Sequence, residues 1–277
     1  MIDITALTTN DIAFAVSMTD AEKWGYTAED FRRLISIEPQ GCFIARENGM
    51  EIGLVTSTSY DNFGFIGSLI VKESHRGHSV GELLMRQAIE CLHDKGVVTI
   101  ELDGVFPALS LYRRLEFTDK YLSLRFKRLP DKNVKYKEGK SSLFSVDDIA
   151  LYDLAATGLP RQHVLNTYAA EFERILFTAG NYKCKGFALV RSRAGEAMAI
   201  GPLVADSDKV AEKILSDILD RFGQRQLTIG VPAVRPEFAR VLLSRGFIYT
   251  QPSVRMYRGP RREYENHIHA IFSAEKG

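Results

Sequence analysis

The chain lacks most of what would commit it to a special environment. Only three cysteines (Cys42, Cys91, Cys184) occur in 277 residues, odd in number and widely spaced. No disulfide frame or zinc site follows, and they read as reduced packing residues of a cytoplasmic protein. An excess of one charge is also missing, since 36 Lys+Arg against 35 Asp+Glu leave a formal +1. Neither nucleic acid nor an anionic membrane is expected as a partner. Long hydrophobic runs are absent too. The strongest, residues 197–205, contains Gly201 and Pro202 and falls far short of the ~20 residues of a membrane helix. The opening MIDITALTTNDI has no basic segment, so a secretory leader is not expected. No metal-ligand spacing can be assembled, and no Ser/His/Asp or Cys/His nucleophile set.

What is present is globular. Hydrophobic residues make up 45% and charged residues 26%, and the length suggests two domains at roughly 150 residues each. Residues 129–142 (LPDKNVKYKEGKSS) are polar, carry Pro130 and Gly139, and lack an apolar period. They predict a linker over 130–142 between domains over 1–129 and 143–277. An internal repeat relates the two. Leu111-Tyr112-Arg113-Arg114-Leu115-Glu116-Phe117 overlies Val241-Leu242-Leu243-Ser244-Arg245-Gly246-Phe247 at a shift of 130 positions. The same shift places Val80-Gly81-Glu82 on Val210-Ala211-Glu212, and Asn10-Asp11-Ile12 resembles Asp147-Asp148-Ile149.

In the first copy, Asn10 or Asp11 can cap a helix, and Thr27 a second over 28–34. Strands are predicted over 42–46 and 52–60, joined at Asn48-Gly49, and a third over 65–71. Residues 81–93 place Leu83, Leu84, Ala88, Ile89 and Leu92 on a helical period. A strand over 97–102, a helix over 107–115 and a strand over 121–126 follow. Antiparallel strands followed by strand–helix–strand make an α/β fold (α+β in its segregation), a mixed sheet flanked by helices.

The most informative stretch is a strand ending at Val71, a turn, then Gly77-His78-Ser79-Val80-Gly81 opening the helix. Small residues there admit a ligand close to the backbone, and a helix N-terminus favours an anion. Arg76 adds a charge suited to phosphate oxygens. Neither the P-loop spacing nor the dinucleotide glycine pattern is present. His75 and His78 flank Arg76 as surface residues, and His267 and His269 are likewise expected to be exposed.

This stretch resembles the pyrophosphate loop of the GNAT superfamily of N-acetyltransferases, which reads Arg/Gln-x-x-Gly-x-Gly/Ala. Arg76 and Gly81 match, whereas Ser79 stands where glycine is usual. Residues 108–117 (ALSLYRRLEF) are similar to that family's Ala-x-x-Leu-Tyr-x-x-Leu-Gly-Phe segment, with Glu116 in place of glycine and no asparagine ahead of it. The resemblance covers about residues 3–128. It implies two tandem GNAT-like domains with acetyl-CoA as cosubstrate and no metal. The amides of Arg76, Gly77, His78, Ser79, Val80 and Gly81 would hold the pyrophosphate, and Leu69, Ile70 and Val71 would pair with the pantetheine arm. Tyr112 matches the position that protonates the departing thiolate, while a lysine-like amine with a free pKa near 10.4 must lose a proton. Glu101 and Asp103, two apart on a strand, share a face and are candidates for the base, an ordered water being the alternative. Ser68 stands where some relatives have a carboxylate. Trp24 and Tyr26 are candidates for the acceptor pocket or for the core.

In the second copy Asp206 replaces Arg76, Asp208 adds a second negative charge, and Leu242 replaces Tyr112. Two carboxylates would repel a diphosphate by a few kcal/mol at low effective dielectric, and they suit a helix start instead. The second copy is expected to bind no CoA and to pack on the first, narrow the acceptor cleft or form a homodimer. The expected activity is acetyl transfer to a primary amine of a small molecule or protein. A non-catalytic acyl-CoA-binding module is the alternative.

Overall fold

The computed structural model describes residues 1–134 and 144–277, so the linker reading falls outside the described residues from 135 onward. The chain forms two units, neither contiguous in sequence. Unit 1 takes Met1–Asp119, Met256–Arg261 and Ala274–Gly277; unit 2 takes Lys120–Arg255 and Arg262–Ser273.

Unit 1 begins with a strand that the sequence reading passed over, β1 (Ile2–Ala6). The cap that follows is Thr8, whose hydroxyl accepts from the Asn10 amide while its own amide donates to Asp11. Helices α1 (Ile12–Ala21) and α2 (Ala28–Ile37) come next, and α2 starts as expected at Thr27, in a capping box with Asp30. Strands β2 (Cys42–Glu47) and β3 (Met50–Tyr60) form the predicted hairpin. Asn48 and Gly49 both take left-handed backbone, at φ 51° and 81°. Then follow β4 (Phe63–Val71), α3 (Val80–Asp94), β5 (Thr99–Gly104), α4 (Leu109–Arg114) and β6 (Thr118–Arg128), which passes from unit 1 into unit 2 after Asp119. The sheet order is β1-β2-β3-β4-β5, antiparallel up to β4 and parallel from β4 to β5.

Phe31 and Leu34 of α2 are fully buried with Ile44, Leu54 and Ile70 of the sheet. Each such side chain contributes about 2 kcal/mol by leaving water. Helix α3 buries Leu84, Met85, Ala88, Ile89 and Leu92, but Leu83 of the predicted stripe is exposed. Cys42 is buried, which pushes its thiol up to about 12 and suits a packing residue.

Unit 2 repeats the plan. Helix α5 (Val146–Thr157) opens on a Ser145–Asp148 capping box, the device found at Thr8 and Asp11. Short helices α6 (Gln162–Asn166) and α7 (Phe172–Ile175) lead to β7 (Leu176–Ala179), β8 (Gly186–Ser192), β9 (Met198–Ala205) and α8 (Asp208–Phe222). Then come β10 (Leu227–Pro232), α9 (Pro236–Ser244), β11 (Ile248–Arg258) and a short β12 (Ile268–Ala270). Its strands β7, β8, β9, β10 and β6 lie side by side in that order, with β9 and β10 parallel. Among the described residues no helix is long and apolar enough to cross a membrane.

Candidate functional site

The site in unit 1 starts from one extra residue. Across β3 and β4 the register runs from Thr56 opposite Gly67 to Leu54 opposite Ile70, so β4 carries one residue more. Ser68, at φ 51°, takes the left-handed backbone that this bulge requires. Strand β4 pairs with β5 from Phe63 opposite Thr99 to Ile66 opposite Leu102, and the ladder stops there. Beyond it no rung joins the two strands, which leaves an opening between them, the V. Leu69, Ile70 and Val71 therefore lie past the last rung, where an added strand-like arm can pair. The Ser68 hydroxyl is buried without a hydrogen-bond partner beside them.

The loop after Val71 leads straight to the start of α3. Gly77 and Ser79 take left-handed backbone, at φ 81° and 61°. Ser79 is the N-cap residue, yet its side chain makes no capping bond. The first-turn amides of Val80, Gly81 and Glu82 have no intrahelical acceptor and point outward at the positive end of a 15-residue helix. Arg76 is anchored by Nε to the Val71 carbonyl at 3.0 Å, and its guanidinium pairs with Glu22. Both partners are partly exposed, so the pair is weak and open to competition from a diphosphate. His78 is exposed, and His75 lies 3.5 Å from the Glu47 carboxylate. The bare helix start, the orphaned Ser68 hydroxyl and the unpaired strand edge fit the pyrophosphate, acyl end and pantetheine of an acyl-CoA.

Tyr112, on α4, is buried next to the C-terminal end of β5. A side chain on Gly104 would come within 3.0 Å of its ring, so that glycine makes the seat for the tyrosine. Burial raises the phenol above its ordinary pKa, which keeps it protonated and able to donate. The two acidic candidates separate. Glu101 is buried on a paired rung opposite Phe65, whereas Asp103 is half-buried one residue past the last rung. Trp24 is half-buried against the α1–α2 core, 6.3 Å from the Tyr26 ring. Tyr26 is buried, and its hydroxyl donates to Glu275. Neither Glu22 nor residues 274–277 carried a signal in the sequence. A lone half-buried glutamate and a short polar segment have no period or spacing to betray them.

Unit 2 closes the corresponding features. Between β8 and β9 the register again shifts, from Ala188 opposite Leu203 to Val190 opposite Ile200, around Gly201 and Pro202. Here, however, the chain's own β12 lies on β9, with Ile268 opposite Val204, and the Ile271 amide donates to Gly230 of β10 at 3.0 Å. The start of α8 is capped by Ser207, which accepts from the Val210 amide. Asp208 in its first turn meets His269 Nε2 at 2.8 Å, and Asp206 accepts from the Tyr152 hydroxyl at 2.8 Å. His269 is thus buried, contrary to the expected exposure, because strand pairing by β12 carries it inside; His267 is half-buried. Leu242 is fully buried. Among the described residues no group of three His, Cys, Asp or Glu could hold a metal.

Two α/β units with this bulge-and-helix frame define a tandem protein of the acetyltransferase fold class. Residues 13–117 match the Acetyltransferase (GNAT) family and residues 149–273 match an Acetyltransferase (GNAT) domain, so the chain belongs to the GNAT acetyltransferases. It is similar over its whole length to a Pyrococcus horikoshii protein named as a candidate acetyltransferase, with 26% identity, a TM-score of 0.84 and 96% of that chain covered. A GCN5-related N-acetyltransferase from Sphaerobacter thermophilus shares the fold at 16% identity and a TM-score of 0.66, over 94% of this chain and 96% of that one. N-alpha-acetyltransferase 30 of Dictyostelium discoideum is 30% identical over 111 residues, which are 38% of this chain and 57% of that protein.

Proposed function

We propose that unit 1 transfers an acetyl group from acetyl-CoA to a primary amine, and that unit 2 binds no acyl-CoA. The observation that carries the reading is the V between β4 and β5, opened by the Ser68 bulge and leading to the bare start of α3. When bound, acetyl-CoA supplies an activated acyl group and a thiolate leaving group. The amides of 76–81 and the Arg76 guanidinium hold the diphosphate, with Arg76 exchanging Glu22 for the ligand. The 69–71 edge aligns the pantetheine arm. Tyr112 gives its proton to the departing sulfur as the carbon–sulfur bond breaks and the amine nitrogen takes the acyl carbon. Asp103, past the last rung, is the better placed of the two carboxylates to take the amine proton, directly or through a water.

The alternative, an acyl-CoA-binding module without turnover, draws on the engagement of Arg76 by Glu22, which describes a site at rest. Isothermal titration with acetyl-CoA, followed by CoA release across a panel of amines, separates the readings. Binding of one equivalent with turnover is expected. Binding without release for any amine supports the module, and no binding at millimolar ligand removes both.

A further inference from the structure

Residues 274–277 belong to unit 1 and lie against the face of its sheet at Gly67 and Phe65, beside the last rungs that join β4 to β5. A side chain on Gly67 would come within 2.4 Å of the Glu275 Cα, and Gly277 packs on the Phe65 ring. The Tyr60 hydroxyl donates to the Lys276 carbonyl at 2.7 Å, and Tyr26 donates to the Glu275 carboxylate. Lys276 Nζ is 2.6 Å from the other Glu275 oxygen, both side chains being fully buried.

Three features mark this as a groove for peptide backbone. Gly67 admits the main chain of its occupant, and Tyr60 reads a main-chain carbonyl that any residue supplies. The hydroxyls of Thr56 and Thr58 are buried without a partner. These two threonines stand opposite Gly67 and Phe65, and so on the face the segment covers. The resident therefore leaves these two hydroxyls unsatisfied, and a ligand with polar groups of its own can engage them. Direction matters as well. The segment runs from Gly67 toward Phe65 as its numbers rise, so its N-terminal end points to Ser68 and the opening of the V.

We propose that this face of β3 and β4 is an acceptor groove for the first residues of a peptide, entering with its α-amine toward the V, and that 275–277 is a resident stand-in that the acceptor displaces. The inference rests on reading unit 1 as the acetyl-transferring unit, and it names the acceptor class.

The probe is the peptide Ala-Glu-Lys-Gly, followed by fluorescence of Trp24, the sole tryptophan, without acetyl-CoA. A tethered occupant at an effective concentration on the order of millimolar holds off a weak ligand about tenfold or more. The full chain carrying Glu275→Ala and Lys276→Ala, and a chain ended at Ser273, should bind the peptide at least about tenfold more tightly than the unaltered chain. Adding Gly67→Ala should abolish that binding. With acetyl-CoA present, the loosened chains should show a lower KM for the free α-amine peptide, with no matching change for small amines.

Folded loosened chains that bind the peptide no better than the unaltered chain overturn the groove. If neither loosened chain folds, amide exchange in the unaltered chain decides. Exchange at 275–277 as slow as in β4 overturns the proposal, and exchange at least 100-fold faster supports it. The two readings fail separately. Peptide binding without turnover removes acetyl transfer and keeps the groove, whereas turnover with an unchanged peptide KM does the reverse.

Discussion

The paired strands β4/β5 of unit 1 and β9/β10 of unit 2 start from one plan and reach opposite states. Each pair is parallel, and in each the rungs end just before a register shift in the first strand. In unit 1 the strands part and a helix begins uncapped. In unit 2 the edge of β9 carries β12, and the helix start is closed by Ser207 and by Asp208 with its histidine. A frame shared by both units thus needs two features to hold an acyl-CoA, a free strand edge and bare amides, and a third, a proton donor, to turn it over. Unit 2 has satisfied the first two from its own chain and has leucine in place of the third. On this reading a single substitution cannot open a site in unit 2, whereas a single substitution can disable the proposed one in unit 1.

The largest effect is expected at the tyrosine position. Tyr112→Phe should lower kcat about 100-fold or more while leaving the acetyl-CoA Kd within about twofold, as removal of a general acid does. Because burial holds its pKa above the ordinary value of about 10, the donor stays protonated and no alkaline loss of kcat from this group is expected below that pH. Unchanged turnover would remove Tyr112 from the mechanism. Leu242→Tyr in unit 2 should create no second site, since β12 still lies on the strand edge.

The next effect is at the anion loop. Arg76→Ala removes one charge-assisted contact, worth about 1.5–3 kcal/mol, from which we expect a loss of about tenfold in acetyl-CoA affinity after allowing for exposure. Asp206→Ala, at the corresponding position of unit 2, should leave that affinity unchanged. A tenfold loss from Asp206→Ala as well would mean that both loops contribute to one site.

Much of this contrast was legible before any coordinates. The Arg76/Asp206 and Tyr112/Leu242 differences follow from the repeat, and the hairpin at Asn48-Gly49 from a turn chemistry with few alternatives. What could not be read depends on distant parts of the chain. The bulge that opens the V sits on a serine in left-handed backbone, a conformation that composition does not announce. β12 is three residues in a polar, charged stretch, and only its partner β9 makes it a strand. The same pairing buries His269, which local sequence placed in solvent. Leu83 fits the helical period of α3 but falls at the edge of its buried stripe. Acceptor candidates were the hardest, because residues 274–277 are far from β4 in sequence.

Acidification should test the closed end of unit 2. His269 is held below its ordinary pKa of 6.5, chiefly by burial and with help from the Arg235 charge, although its bond to Asp208 works the other way. A histidine that binds its proton less readily when folded contributes stability above about pH 6.5 and loses it as pH falls through the folded value. The melting midpoint should therefore drop between pH 7.5 and pH 5, and the drop should be smaller in His269→Gln. Equal slopes would show that the imidazole does not control the closure.

The smallest effect gives the sharpest contrast, since both helices begin next to a serine. Ser207 has extended backbone, φ −160°, and its hydroxyl accepts from the Val210 amide. Ser79 has left-handed backbone, φ 61°, and caps nothing. Ser207→Ala should therefore destabilise by about 1 kcal/mol, the cost of a lost cap. Ser79→Gly should stabilise by about the same amount, because a left-handed serine pays roughly 1–2 kcal/mol that glycine avoids, less the extra freedom of glycine in the unfolded chain. Urea midpoints moving in opposite directions would confirm that one serine closes its helix and the other only bends the chain toward it. If Ser79→Gly also destabilised, the hydroxyl would hold the loop after all, and the bare start of α3 would be the work of that side chain rather than of the backbone.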